Sequence, residues 1–205
     1  MIRIERRVLQ RNLMYKGQIV LKYRIEYPQI MNNENFNIYN YNRAIERQKE
    51  CEGPLFEEAK QLFDYNTENG YPVMVYEIIS QFTITYNYGM LLSLITDDYQ
   101  FTGGAHGNTI RTSQNWNLQD NHMIKLREWF KSPNYVSDLI SNINDQIKSN
   151  IDKGNNIYFE DYCCLTSKNF RVENYYIKDG MIAIYYQQYD IAPYSSGIIS
   201  FYIPI

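Results

Sequence analysis

Val73-Met74-Val75-Tyr76-Glu77-Ile78-Ile79-Ser80-Gln81-Phe82-Thr83-Ile84-Thr85-Tyr86-Asn87-Tyr88-Gly89 places Met74, Tyr76, Ile78, Phe82, Ile84 and Tyr86 on a two-residue period. Side chains of an extended chain alternate between the faces of a sheet, so this stretch predicts a strand with one buried side, and Tyr88-Gly89 turns the chain. The period continues to Leu118. Ile95, Asp97, Tyr99 and Phe101 share a face of the next strand, and Ile110, Thr112, Gln114 and Trp116 share a face of a third. Three strands joined by short turns predict an antiparallel meander.

Upstream, residues 2–13 and 18–27 read as two strands joined at Lys16-Gly17, with Ile19, Leu21, Tyr23, Ile25 and Tyr27 on one face. Pro28 lacks a ladder donor and ends the second. A helix over 34–51 follows with Ile38, Tyr41 and Ile45 on one side; Gly53-Pro54 breaks it and opens a second helix bearing Leu55, Phe56, Ala59, Leu62 and Phe63, with Asn69-Gly70 as its stop. Downstream, Ser132 as cap and Pro133 at the first position predict a helix over 133–152, striped by Val136, Leu139, Ile140, Ile143, Ile147 and Ile151 and closed by Gly154. Asp179-Gly180 is a two-residue turn within a hairpin over 174–187, and Ile198 to Ile203 is the last strand. Strands and helices segregate along the chain, which predicts an α+β fold of antiparallel sheets packed against a few helices. Two closely associated subdomains are expected, at residues 1–119 and 120–205.

The 205 residues carry 44% hydrophobic and 21% charged side chains and a net charge of −3, with 21 Tyr, 22 Asn and 26 Ile. That composition is of an ordinary globular chain, and it lacks the basic footprint of a nucleic-acid binder. No stretch approaches the roughly 20 apolar residues of a membrane span, and the amino-terminal residues form no secretory apolar segment, so a cytoplasmic location is expected. The three cysteines, Cys51, Cys163 and Cys164, make a poor disulfide framework; inert buried thiols are expected.

The densest chemical signal is Tyr99-Gln100-Phe101-Thr102-Gly103-Gly104-Ala105-His106-Gly107-Asn108. Three glycines in five positions imply left-handed backbone or close approach by another chain. A phosphate loop would need Lys-Ser/Thr and a following helix, whereas Asn108-Thr109-Ile110 begins a strand. His106 is the one catalytic candidate, with Asp97, Asp98 or Asp190 available to orient it, but neither a nucleophile signature nor a metal-ligand set accompanies it, so neither cofactor nor metal is expected. Asp97-Asp98 point to opposite faces of a strand, while Glu57-Glu58 and Glu160-Asp161 read as solvated surface. Tyr185-Tyr186-Gln187-Gln188-Tyr189-Asp190-Ile191-Ala192-Pro193-Tyr194 holds four aromatic rings in ten residues, and alternation predicts an exposed aromatic patch there.

Two motifs carry a resemblance. Thr102-Gly103-Gly104-Ala105-His106-Gly107 followed by Asn115-Trp116-Asn117-Leu118 resembles the first module of a bacterial two-module family of unknown function. Tyr189-Asp190-Ile191-Ala192-Pro193-Tyr194-Ser195-Ser196-Gly197 running into Phe201-Tyr202-Ile203-Pro204 resembles its second. Tyr27-Pro28 and Leu126-Arg127-Glu128-Trp129-Phe130 also fit the pattern. Similar regions form the extracytoplasmic lysozyme-binding part of a lysozyme-sensing anti-sigma factor and the non-catalytic amino-terminal module of a peptidoglycan deacetylase. The resemblance implies a compact α+β fold and a binding role; the membrane helix, sigma-binding segment and deacetylase domain of those relatives are not in this sequence. The Asn, Ile, Lys and Tyr bias suggests a low-GC Gram-positive source.

The expectation is therefore a non-catalytic recognition module for a lysozyme-like protein or a cell-wall glycan. Its binding residues are Tyr99, Phe101, Thr102, Gly103, Gly104, His106 and Asn108, with Tyr189, Asp190, Pro193 and Tyr194. A saccharide-acting enzyme using His106 with an aspartate is the rival, and a scaffold that self-associates through an exposed edge over Ile198 to Ile205 is a third reading.

Overall fold

A computed structural model describes residues 1–204. The chain is α+β. It runs β1 (Ile4–Tyr15), β2 (Gln18–Ile30), α1 (Glu34–Glu52), α2 (Pro54–Glu68), β3 (Tyr76–Tyr88), β4 (Leu91–Phe101), β5 (Asn108–Asn117), β6 (His122–Met123), α3 (Tyr135–Asp152), α4 (Tyr162–Lys168), β7 (Tyr175–Lys178), β8 (Met181–Tyr186) and β9 (Ile199–Pro204). The first six strands lie in sequence order in one sheet, and β7-β8-β9 form a second, antiparallel one. The chain divides into two compact units, one of Met1–Thr83 with Thr96–Ile110 and the other of Ile84–Ile95 with Arg111–Ile205.

In the first unit, Lys16 and Gly17 both have positive φ, which lets two residues close the β1–β2 hairpin. Leu13 opposes Leu21 while Met14 opposes Ile19, so Val20 is an extra residue in β2. Val20 and Leu21 are both buried, and Ile19, expected inside, is 38% exposed. Pro28 does not end β2; it pairs with Arg6 and the strand continues to Ile30. Ile30 sends its N–H and C=O to the Asn37 side chain, at 2.9 and 2.8 Å, away from β1. Two residues earlier on the same strand, the Pro28 nitrogen points the same way, where β1 needs no donor.

The large sheet departs from the antiparallel expectation: Leu21–Ile25 of β2 pair in parallel with Tyr76–Ser80 of β3, so the sheet is mixed. Parallel neighbours need a long crossover, and α1 and α2 supply it. The Asn33 side chain caps α1 by accepting from the Phe36 N–H at 2.9 Å. Its inward face is Phe36, Asn40, Ala44 and Cys51, rotated from the expected stripe; Ile38 and Tyr41 are about half exposed. Asn40 is tolerated inside because its amide donates to the Phe36 carbonyl at 2.9 Å. Pro54 opens α2, whose Leu55, Ala59 and Phe63 join Leu21, Tyr23, Ile25 and Ile78 in one core.

In the second unit, α3 begins at Tyr135, two residues after the expected start, because the Ser132 hydroxyl serves the Asn134 N–H and the Asp138 carboxylate ahead of the helix. Leu139, Ile143 and Ile147 are buried with Ile182, Ile184, Tyr186 and Phe201, each large side chain contributing about 1.5–3 kcal/mol. The other face of β8 is covered too, by Ile95 and Tyr176 around Ala183 and Tyr185. Ser93, fully buried, accepts from the Ile177 N–H at 2.9 Å and donates to Asn115 Oδ1 at 2.7 Å, while the Asn115 amide donates to the Tyr175 carbonyl. On β9, Gln146 of α3 donates to the Tyr202 carbonyl at 3.0 Å, covering part of the edge expected to be free; Ile205 lies outside the described residues.

The cysteines divide differently from expectation. Cys51 is buried, which pushes its thiol up to about 11, whereas Cys163 and Cys164 are exposed on the short α4, a helix that sequence periodicity does not signal. No described helix is long and apolar enough to cross a membrane.

Candidate functional site

The glycine-rich segment leaves β4 and enters β5 within the first unit. Asp98, Gln100 and Thr102, two residues apart, face one side of the chain. With Arg47 and Glu50 from α1, and His106, Asn108 and Ile110 beyond the turn, they line an open cleft of about 470 Å³. Arg47 Nη1 donates to Glu50 Oε2 at 2.5 Å and Nη2 to Gln100 Oε1 at 2.9 Å, which holds the Gln100 amide in place. Its Nε is buried with no acceptor among the described residues. Asp98 accepts from the Ser80 hydroxyl. His106 Nδ1 lies 3.0 Å from the Gly107 carbonyl oxygen. A carbonyl can only accept, so Nδ1 carries the proton and donates.

The three glycines have different reasons. Gly103 and Gly104 both sit at φ +94, a left-handed conformation that side chains resist, and a Cβ on Gly103 would lie 3.2 Å from Leu62. Gly107 is not left-handed; a Cβ there would come within 2.4 Å of the Tyr99 ring. Tyr99 thus closes over the turn's exit, and Phe101 is on its face of β4, opposite the cleft. Of the expected binding residues, the cleft gathers Thr102, His106 and Asn108. Thr102, Gly103 and Gly104 also line a second cleft, of about 340 Å³, with Leu62, Asn66, Tyr71, Pro72 and Met74.

The bend of the second unit is built otherwise. Tyr185 and Tyr186 are both buried, so the expected exposed run of rings is reduced; β8 is the middle strand of its sheet and has packing on both faces. Burial holds the Tyr186 hydroxyl far above its ordinary pKa, and it donates to the Thr166 carbonyl at 2.9 Å. Gln187 exchanges two hydrogen bonds with the Arg111 backbone. Asp190 accepts from the Gln187 N–H at 2.7 Å, and Asn169 donates to the Asp190 carbonyl. Burial is the main reason the Asp190 carboxyl is raised above 3.8. Ile191 and Ala192 turn into the core, leaving Pro193 exposed and Tyr189, at φ +67 and 56% exposed, with its ring 5.7 Å from that of Tyr194.

Sequence reasoning missed Arg47, Glu50 and Ile110. Nothing local announces Arg47 and Glu50, which reach the cleft through the docking of α1 on the sheet, whereas Ile110 follows Asn108 by two residues on β5. Among the described residues no group of three or more His, Cys, Asp or Glu side chains converges as metal ligands would.

Residues 16–109 match the family model described as Deacetylase PdaC, and residues 129–205 match a protein family of unknown function, DUF3298. Among curated proteins none matches. A DUF3298 family member from Bacteroides fragilis has a crystal structure with a TM-score of 0.69 at 18% identity, over 99% of this chain and 90% of that one. A DUF3298 family protein from Pseudomonas aeruginosa PAO1 gives a TM-score of 0.68 at 16% identity, over 100% and 91%. At these identities the likeness is one of fold. The two family matches stand in tandem along the chain, and the fold of the two crystal structures extends over both.

Proposed function

We propose that this protein is a non-catalytic recognition module that binds a cell-wall glycan in the cleft of its first unit. The observation that carries this reading is the gathering of Arg47, Gln100, Thr102, His106 and Asn108 around one open cleft. Sugar hydroxyls and acetamido groups both donate and accept, and this set offers guanidinium, amide, hydroxyl and imidazole partners with Ile110 as an apolar edge. The volume suits a small ligand, whereas a stable protein interface buries about 800 Å² per partner. The word deacetylase in the description of the family matched by residues 16–109 supports an acetylated ligand. Asp98 and Glu50 are each held by a neighbour, which suits binding better than proton transfer.

Titration calorimetry with N-acetylglucosamine oligomers tests the reading. Saturable heat that Asn108→Ala weakens at least tenfold is expected; no heat at about 1 mM sugar, the scale of −4 kcal/mol, overturns it. Turnover of the same oligomers that His106→Ala abolishes, with an unchanged melting temperature, would favour the enzyme reading.

Exposed Tyr189, its ring 5.7 Å from that of the partly buried Tyr194, favours a second reading, in which a lysozyme-like protein, the partner that the resemblance to the anti-sigma factor implies, docks on the second unit. Rigid aromatic anchors are enriched where proteins bind proteins. Lysozyme titration with the parent and with Tyr189→Ala separates the two: this docking predicts heat that the variant loses.

A further inference from the structure

The second cleft has a feature that no reading of the polar cleft uses. The α2 end and the following segment present Tyr65 and Tyr71, 56% and 57% exposed, with rings 6.1 Å apart and inclined at 37°. Val73 and Met74 are more than a third exposed beside them. The Tyr71 N–H donates to the Asn66 carbonyl at 2.8 Å and the Asn66 amide donates to the Pro72 carbonyl at 3.1 Å, which fixes the backbone that carries the outward ring. Thr102 lines this cleft and the polar one alike. At the turn that follows Thr102, a Cβ on Gly103 would press on Leu62 and Met74 at 3.2 and 3.4 Å, and the position where Gly104 would carry one is open space.

Resting on the glycan reading, we infer that the ligand is a linear oligosaccharide that crosses Thr102, with one end hydrogen-bonded in the polar cleft and the next rings lying against the Tyr71–Tyr65 shelf. A sugar ring has polar edges and an apolar C–H face. The polar cleft serves the edges and the tyrosine shelf serves the face, so each fits a different part of one polymer. Each cleft alone is at the lower end of the about 300–1,000 Å³ of small-molecule sites, and a single sugar would engage one of them only.

The test is calorimetry with N-acetylglucosamine oligomers of increasing length on the parent chain, Tyr71→Ala, Tyr71→Phe and Asn108→Ala. Affinity is expected to rise at least tenfold from the single sugar to the longer oligomers. Tyr71→Ala should abolish that rise while leaving single-sugar binding unchanged, Tyr71→Phe should keep it, and Asn108→Ala should weaken every length. Equal affinity at all lengths with no effect of Tyr71→Ala overturns the inference and leaves the glycan reading standing. Absence of binding at every length overturns both. Near-parent melting of Tyr71→Ala, expected of a ring more than half exposed, excludes misfolding as the cause.

Discussion

The glycine turn at 102–108 and the tyrosine bend at 187–197 stand out equally in the sequence, yet they hold their shapes by opposite means. The turn is shaped by absence: Gly103 and Gly107 leave room for Leu62 and for the Tyr99 ring, and the polar side chains of Thr102, His106 and Asn108 reach the clefts. The bend is shaped by side chains that serve its own backbone, with Asp190 holding the Gln187 N–H and Ile191 anchored in the core. A polar or aromatic motif is therefore not evidence of a binding surface until its hydrogen bonds have been followed to their ends.

Ile191→Ala should break the comparison hardest on the bend's side, costing about 3 kcal/mol as a cavity opens in the core of the second unit; chemical denaturation measures it. Gly107→Ala should cost about 2 kcal/mol by pressing on Tyr99. Tyr99→Ala in the same chain should recover most of that, and a double-mutant cycle without coupling would refute the close approach. Asp190→Ala should cost about 1 kcal/mol by orphaning the Gln187 N–H, while Asp190→Asn retains an acceptor. The carboxyl is raised in the folded chain, so its stabilising contribution is full below 3.8 and declines as pH rises through the folded pKa. Melting curves should accordingly show Asp190→Asn gaining on the parent between pH 3 and pH 7. Asn108→Ala, on the turn, should move stability by less than about 0.5 kcal/mol, its effect falling on ligand binding.

What the sequence made legible was local. Lys16-Gly17 and Asp179-Gly180 announce their turns because the backbone needs positive φ at those residues and nowhere nearby. Leu55, Ala59 and Phe63 announce the face of α2 because all are apolar. The face of α1 was hidden because Asn40 is polar and buried, its amide satisfied by the helix itself. The parallel pairing of β2 with β3 was hidden because strand direction is fixed by what crosses between them, not by alternation. Within the site, glycine spacing pointed to Thr102, His106 and Asn108. Arg47 of α1, Tyr65 of α2 and Tyr71 on the segment after it are brought to the site by helix placement, which no short motif encodes.

That parallel pairing sets an order of assembly. The β1–β2 hairpin closes through a two-residue turn and α1 can dock on it at once, but β3 finds its place only after both helices have carried the chain across. Amides of Gln18–Ile30 that point toward β1 should gain protection early in refolding, and those shared with Tyr76–Ser80 later, so the crossover governs how fast the first unit becomes whole.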